Sequence, residues 1–283
     1  MTRSPTASIV IPTRHRAGYL DVALASIVPQ ARKAGAEVLV VADGPDPESA
    51  GVARRHGARV ASLPRASGAN AARNLGVREA RGDPIVFVDD DVDAPPGWLD
   101  ALLAGVTAHP DHEVFGGPIH ARLEGGGPRA CGREPPPITT LDYGHQDRDV
   151  ALVWSANMAV RRRALERVGA FDETLRVRGD EEDWERRYTA TGGRIRYLAS
   201  AGLEHRRTPP DSALRTLSRA AYGYGRNARR YDVRKGVAPA IASELRTVLG
   251  CAWHVLRRRC ATGVVLGAEA AGRLREALAE RAR

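Results

Sequence analysis

Apolar residues in the first hundred positions follow two rhythms. Short unbroken runs, Ser8-Ile9-Val10-Ile11-Pro12 and Glu37-Val38-Leu39-Val40-Val41-Ala42, end at a proline or at the turn signal Asp43-Gly44-Pro45 and predict buried strands. Between them Leu20, Leu24, Ile27, Val28 and Ala31 recur every three or four residues, the spacing of one helix face, with Pro29 expected to kink or shorten that helix. The alternation continues with a helix over Pro47–His56, a strand over Arg59–Leu63, a helix over Gly68–Ala80 and a strand over Pro84–Val88 that runs into Asp89-Asp90-Asp91. Strands separated by helices predict an α/β fold with a mostly parallel sheet and right-handed crossovers. Ligands of such sheets bind outside the carboxyl ends of the strands, which puts Asp43 and Asp89-Asp90-Asp91 on one rim.

The middle of the chain is less regular. Residues 124–149, with Gly125-Gly126-Gly127-Pro128 and Pro135-Pro136-Pro137, read as a long surface loop, a lid or acceptor wall beside the rim, with regular structure resuming at Val153. Helices are expected over Arg161–Val168 and Glu181–Thr191, and a strand over Arg194–Leu198, after which His205 follows. Beyond Pro209-Pro210 the rhythm is helical. Leu214, Leu217, Ala221, Tyr224, Ala228 and Tyr231 form one stripe, and Ile241, Leu245, Val248, Leu249, Ala252 and Leu256 another. Such arginine-flanked stripes either pack on a core or lie in a membrane interface.

Charge sharpens this division. The 283 residues carry a net +9, yet 17 basic against 6 acidic residues from His205 onward leave residues 1–204 slightly negative. A basic C-terminal block suits anionic lipid or phosphate-bearing ligands, and the acidic rim speaks against nucleic acid. With 43% hydrophobic and 27% charged residues the composition is that of a globular protein. No apolar run approaches the ~18 residues of a spanning helix. The start lacks a signal-peptide core, and Cys131, Cys251 and Cys260 offer neither a CxxC metal spacing nor a complete disulfide framework. The expected location is therefore the cytoplasm, with peripheral contact at the inner face of the membrane as its variant.

Three adjacent carboxylates at a strand end repel one another unless a cation is present, and magnesium or manganese suits such oxygen ligands. An EF-hand is excluded, because Ala94 stands where its glycine belongs and Asp100 where its glutamate belongs. Asp43 is placed to accept from a base or ribose, or simply to cap a turn. Ser67-Gly68-Ala69-Asn70-Ala71-Ala72-Arg73-Asn74 opens a helix with small residues, and Arg73 is available for a phosphate, while Ser67 or Asn70 can serve as caps. Five carboxylates between Asp180 and Glu185 exceed what helix capping needs, so one can act as a general base. Trp184 beside them offers an aromatic face for a sugar or for ordinary burial. A neutral His205 can complete a metal site.

The order of these motifs resembles that of family 2 glycosyltransferases with the GT-A fold. The matching stretches are Ser8–Thr13, Val40-Val41-Ala42-Asp43-Gly44, Ala71-Ala72-Arg73-Asn74-Leu75-Gly76, Phe87-Val88-Asp89-Asp90-Asp91, Ser155–Val160, Val168-Gly169-Ala170-Phe171-Asp172, Glu182-Asp183-Trp184-Glu185 and Glu204-His205-Arg206. The resemblance covers about residues 7–207. It implies a GT-A domain over 1–207, with a nucleotide-sugar half to about 118 and an acceptor half from about 119, followed by a basic amphipathic helical extension over 208–283. It further implies a metal-dependent, inverting transfer from a nucleotide-sugar, a UDP-sugar favoured, to an acceptor hydroxyl. Pro12, Thr13, Arg14, Asp43, Arg73, Asn74, Asp89 and Asp90 would contact the donor. Asp89 and Asp91 of the DxD motif, with His205, would hold Mn2+ or Mg2+. Glu182 and Trp184 would face the acceptor. Asp183 matches the family's catalytic base, whereas counting from Gly179 and Arg187 puts Glu181 there, and both remain candidates. The QxxRW signature of processive synthases is absent.

Two other classes compete. A basic membrane- or nucleic-acid-binding protein with an inactive core accounts for the arginines but not for the acidic rim. A nucleotidyltransferase would need a glycine-rich basic loop after the first strand, where this chain has Thr13-Arg14-His15-Arg16-Ala17-Gly18.

Overall fold

The computed structural model describes residues 4–128, 131, 138–175 and 180–281. The expected Pro135-Pro136-Pro137 loop and Gly179 lie outside the described residues. The described residues fall into two compact units: 4–120, 141–175 and 180–205 form the first, and 121–128, 131, 138–140 and 206–281 the second.

The first unit begins with the predicted alternation: β1 (Ser8–Thr13), α1 (Ala17–Ala34), β2 (Glu37–Ala42), α2 (Pro47–His56), β3 (Arg59–Ser62), α3 (Ala69–Glu79) and β4 (Ile85–Val88). The chain continues through β5 (Val92–Asp93), α4 (Trp98–Ala108), β6 (Val114–Gly116), β7 (Ile119–Leu123), β8 (Arg148–Val150), β9 (Asn157–Val160), α5 (Arg162–Val168), α6 (Asp180–Ala190), β10 (Ile195–Tyr197) and β11 (Leu203–Arg207). The main sheet has the order β3-β2-β1-β4-β9-β6-β10-β8, and β5-β11-β7 form a smaller one. Strands β3, β2, β1 and β4 are mutually parallel, as are β6 and β10, whereas β9 runs antiparallel between β4 and β6, and β8 antiparallel at the edge. The parallel half needs covering on both faces, which is why β1, β2 and β4 read as continuous apolar runs.

Helix α1 buries Leu20, Leu24, Ile27, Val28 and Ala31, the predicted stripe, its leucines, isoleucine and valine each worth about 1.5–3 kcal/mol when removed from water. It does not stop at Pro29. That residue and Ala25, whose carbonyl loses its helical donor there, both lie on the exposed face, and the helix runs on to Ala34. Two further elements differ from expectation. Residues 148–150 form β8, an edge strand of charged residues with no apolar alternation to reveal it, and Leu141 already bridges to Ile119. His205 lies within β11, not after the last strand.

The second unit holds α7 (Leu214–Arg234), α8 (Ile241–Arg258) and α9 (Thr262–Arg281), with α9 packed on both of the others. Helices α7 and α9 cross closely. A Cβ on Gly225 would lie 1.9 Å from the carbonyl oxygen of Glu269, and one on Gly272 would lie 2.1 Å from that of Tyr222. Ion pairs line the crossing: Glu276 accepts from Arg226 and Arg230, Arg229 donates to Glu280, and Arg273 donates to Asp232 and to the buried Glu244. The face of α8 bearing Leu245, Leu249, Trp253 and Leu256 is exposed, beside the exposed Arg246, Arg257, Arg258 and Arg259. No helix among the described residues is long and apolar enough to cross a membrane.

Candidate active site

Strand β1 sits between β2 and β4 in parallel register, so Thr13, Asp43 and Asp89 leave the sheet at the same end. Beyond Val88 the chain turns through the three aspartates. Asp90 is buried and accepts from Thr13 Oγ1 and Arg16 NH1, both at 2.7 Å. Asp91 is 1% exposed and accepts from Arg16 NH2 at 2.7 Å. Burial pushes the Asp90 carboxyl up to about 7, with Asp91 and Asp89 adding to the rise and Arg16 and Thr13 opposing it. Burial works against the charge on Arg16, but Asp91 and Asp90 more than offset this and raise its pKa above the ordinary value. The guanidinium, lying 4.4 Å over the Tyr19 ring, is a built-in counter-ion to the acidic run.

Strand β11 pairs with β5 through His205 and Val92, which carries His205 to the same place. Its Nε2 lies 3.0 Å from Asp91 Oδ1, both side chains are almost wholly buried, and its Nδ1 is buried without a hydrogen-bonding partner among the described residues. The ligand atoms of Asp89, Asp91 and His205 all lie within 4.8 Å of one another. Two carboxylates and an imidazole form a donor set that fits manganese and accepts magnesium less readily, since magnesium favours oxygen alone.

Asp43 accepts from the backbone N–H groups of Ser67 (2.6 Å) and Gly68 (3.0 Å), so it fixes the entry to α3. Arg73, within α3, is 5% exposed and donates to Asn70 Oδ1 (2.9 Å) and Ser155 Oγ (2.6 Å), not standing open toward the rim. Ser155 in turn donates to Glu181 Oε1 at 3.4 Å. Because Asn157 pairs with Val88 in antiparallel register, Ser155 lies on the side of β9 toward which the aspartates leave β4. Glu181 is thereby tied to the rim. Asp183 accepts from Arg187 Nε at 3.1 Å, and the other nitrogens of that arginine donate to the carbonyls of Val168 and Ala170. Asn74 clamps Phe171 through both its amide atoms and also donates to Glu173.

Trp184 is fully buried: its ring stacks on Tyr188 at 5.7 Å, and its Nε1 donates to the carbonyl of Gly169. Of its two sequence readings, ordinary burial holds, and an acceptor-facing ring is corrected. Glu182 is half-buried, and Pro12 lies at the end of β1 beside Thr13, whereas Arg14 is exposed. Three groups escaped the sequence reading. Arg16 lies two residues from the named Arg14, and only the turn into α1 decides which arginine faces the aspartates. Asn157 is completely buried, accepts from Trp98 Nε1 and donates to the carbonyls of Pro118 and Ala201, pinning the start of β9. Glu185 is 1% exposed, accepts from Val153 N–H, and is pushed up to about 8 by burial.

The model for glycosyl transferase family 2 matches residues 8–169. Pre-mycofactocin glycosyltransferase of Mycobacterium tuberculosis is 31% identical over 207 residues, spanning 70% of this chain and 42% of that protein. Glycosyltransferase AglE of Haloferax volcanii is 26% identical over 194 residues, 66% of this chain and 62% of that one. The chain thus spans less than half the length of the first relative. Among solved structures it is similar to GalNAc-T7, crystallised with UDP, GalNAc and Mn2+, at a TM-score of 0.58 and 15% identity over 81% of this chain and 51% of that one. It is also similar to S. aureus TarS, at 0.51 and 16% over 78% and 39%. At these identities the likeness is one of fold, and the fold is GT-A with C-terminal helices.

Proposed function

The chain belongs to glycosyl transferase family 2, and on that premise we propose that it moves a sugar from a nucleotide-sugar donor to an acceptor hydroxyl, with a divalent cation and inversion at the anomeric carbon. The convergence of Asp89, Asp91 and His205 on the rim carries this reading. The cation they would hold, Mn2+ or Mg2+, supplies charge stabilisation to the leaving diphosphate when bound. Arg16 keeps Asp90 and Asp91 in place through its two hydrogen bonds. Pro12, Thr13, Arg14 and Asp43 border the space for the nucleotide, Asp43 by shaping the turn at residues 67–68.

Of the two candidate bases, the hydrogen bonds favour Glu181. It is linked through Ser155 to Arg73, whereas Asp183 is engaged by Arg187. Glu181 would take the proton from the acceptor hydroxyl as the new carbon–oxygen bond forms and the bond to the diphosphate breaks on the opposite face. Arg73 and Ser155 are then positioning residues for that carboxylate, and Glu182 would border the acceptor. A UDP-sugar is the favoured donor, supported by the UDP in the GalNAc-T7 structure. The test is a thermal-shift screen of UDP-, GDP- and dTDP-sugars with and without Mn2+, followed by detection of released nucleoside diphosphate. A metal-dependent shift with one nucleotide, abolished in Asp91→Ala, is expected. No shift with any donor, or release of pyrophosphate, would overturn the reading.

The exposed stripe of α8 favours a second element: peripheral contact with an anionic lipid surface, Leu245, Leu249, Trp253 and Leu256 entering the interface and the neighbouring arginines meeting headgroups. Co-sedimentation with phosphatidylglycerol vesicles should be lost in Leu249→Glu/Trp253→Glu. Retained binding would count against it.

A further inference from the structure

A cysteine from the middle of the chain meets a histidine and a second cysteine from its C-terminal part in the second unit. Cys131 Sγ is 3.4 Å from His254 Nε2 across 123 residues of sequence. Cys260 joins them, and the three ligand atoms all lie within 4.8 Å of one another. Both cysteines are free thiols, the form needed for coordination. Cys260 is 1% exposed, and Cys131 and His254 are half-buried.

The surroundings hold this arrangement in place. Cys260 occupies the turn between α8 and α9, immediately after Arg259, whose backbone is left-handed at φ 50°. The sulfur of Cys260 interacts with the His254 ring, the Cys131 thiol and the backbone N–H groups of Gly263 and Cys131. Gly263 packs bare backbone against that ring. A Cβ there would lie 2.8 Å from Val255 Cγ2 and 3.0 Å from His254 Cδ2, so the absence of a side chain lets α9 approach the imidazole.

We infer that Cys131, His254 and Cys260 form a zinc-binding site. Two sulfurs and one imidazole nitrogen are the donors that tetrahedral zinc takes, at bond lengths of about 2.0–2.3 Å, and manganese and magnesium disfavour them. Binding converts both thiols to thiolates and releases their two protons to solvent, while the neutral imidazole coordinates through Nε2. Three protein ligands leave the fourth position to water. The ion would tie residue 131 to the α8–α9 turn, closing a large loop of the chain at a single point. The site shares no residue with the Asp89–Asp91–His205 group, and its chemistry does not depend on the transferase reading.

Cobalt tests this directly, because a thiolate bound to Co2+ gives a near-ultraviolet charge-transfer band that carboxylate ligands do not. The full chain is reduced with a phosphine, freed of metal and titrated with Co2+. One equivalent of cobalt carrying the thiolate band and strong tetrahedral visible bands is expected, displaced by stoichiometric Zn2+, whatever cobalt the carboxylate site also takes up. Cys131→Ser and Cys260→Ser should each lose most of the band, His254→Ala should weaken binding roughly tenfold or more, and Asp91→Asn should keep it. Cys260 is buried, so loss of the band in its variant would not separate lost ligation from lost folding. The half-buried Cys131 therefore carries the test, with far-ultraviolet circular dichroism establishing that its variant is folded. Cobalt bound without a thiolate band, or a band unchanged in folded Cys131→Ser, would overturn the assignment.

Discussion

Replacing Glu185 by glutamine keeps the oxygen that accepts from Val153 N–H and removes the group's ability to ionise. Burial holds the wild-type carboxyl at about 8 against an ordinary value of 4.5. The folded chain therefore retains a proton that the unfolded chain releases across that interval. By linkage the wild type loses stability as pH rises through it, at about 1.4 kcal/mol per pH unit and about 5 kcal/mol in full. Glu185→Gln has no such loss. Its fixed cost, an amide in place of a carboxyl whose second oxygen has no partner among the described residues, is the same at every pH and cancels in the comparison. Between about pH 5 and about pH 7.5 the stability of the variant relative to wild type should rise by about 3 kcal/mol. Equilibrium urea unfolding of both full-length proteins at the two pH values, followed by far-ultraviolet circular dichroism, reads this from the midpoints. Equal midpoint differences at both values would mean that Glu185 is ionised in the fold, and would refute the argument.

Three further expectations follow from the contacts. Glu181→Gln should slow release of nucleoside diphosphate by about 10²–10⁴-fold, while Asp183→Asn should retain most activity; the reverse order would make Asp183 the base. Arg16→Met leaves Asp90 and Asp91 facing each other without their counter-ion and should cost about 3–5 kcal/mol, part of which Mn2+ restores, as a thermal melt with and without the metal would detect. Gly272→Ala drives a methyl into the carbonyl of Tyr222 and should cost about 1–3 kcal/mol, visible as an earlier melt; an unchanged melt would argue against the close crossing.

The parallel half of the sheet was legible because fully buried strands leave uninterrupted apolar runs, and α1 because its buried face repeats every three to four residues. Strands β8 and β11 were not. Arg148-Asp149-Val150 sits at a sheet edge, and Leu203-Glu204-His205-Arg206-Arg207 is mostly polar, its strand conformation coming from its neighbours' backbone hydrogen bonds. At the candidate site the acidic residues were visible as a cluster, since charge repulsion makes such a run conspicuous. Their partners were not. Whether Arg14 or Arg16 reaches Asp90, and whether Glu181 or Asp183 is held by an arginine, depends on side-chain direction after a turn, which residue spacing does not encode. Cys131 and Cys260 show the limit most plainly: no local motif marks two residues that only the packing of distant segments brings together.

The glycine contacts of the helical unit also determine which alignment of α7 and α9 is allowed. If α9 slid by one residue, either Gly272 or its flanking ion pairs would fall out of step, because a bulky neighbour such as Arg273 would arrive at the crossing while Glu276 and Glu280 moved away from Arg226, Arg230 and Arg229. Steric fit and charge pairing thus select the same axial register, so the two helices have one way to lie against each other and no neighbouring alignment of comparable energy into which they can slip.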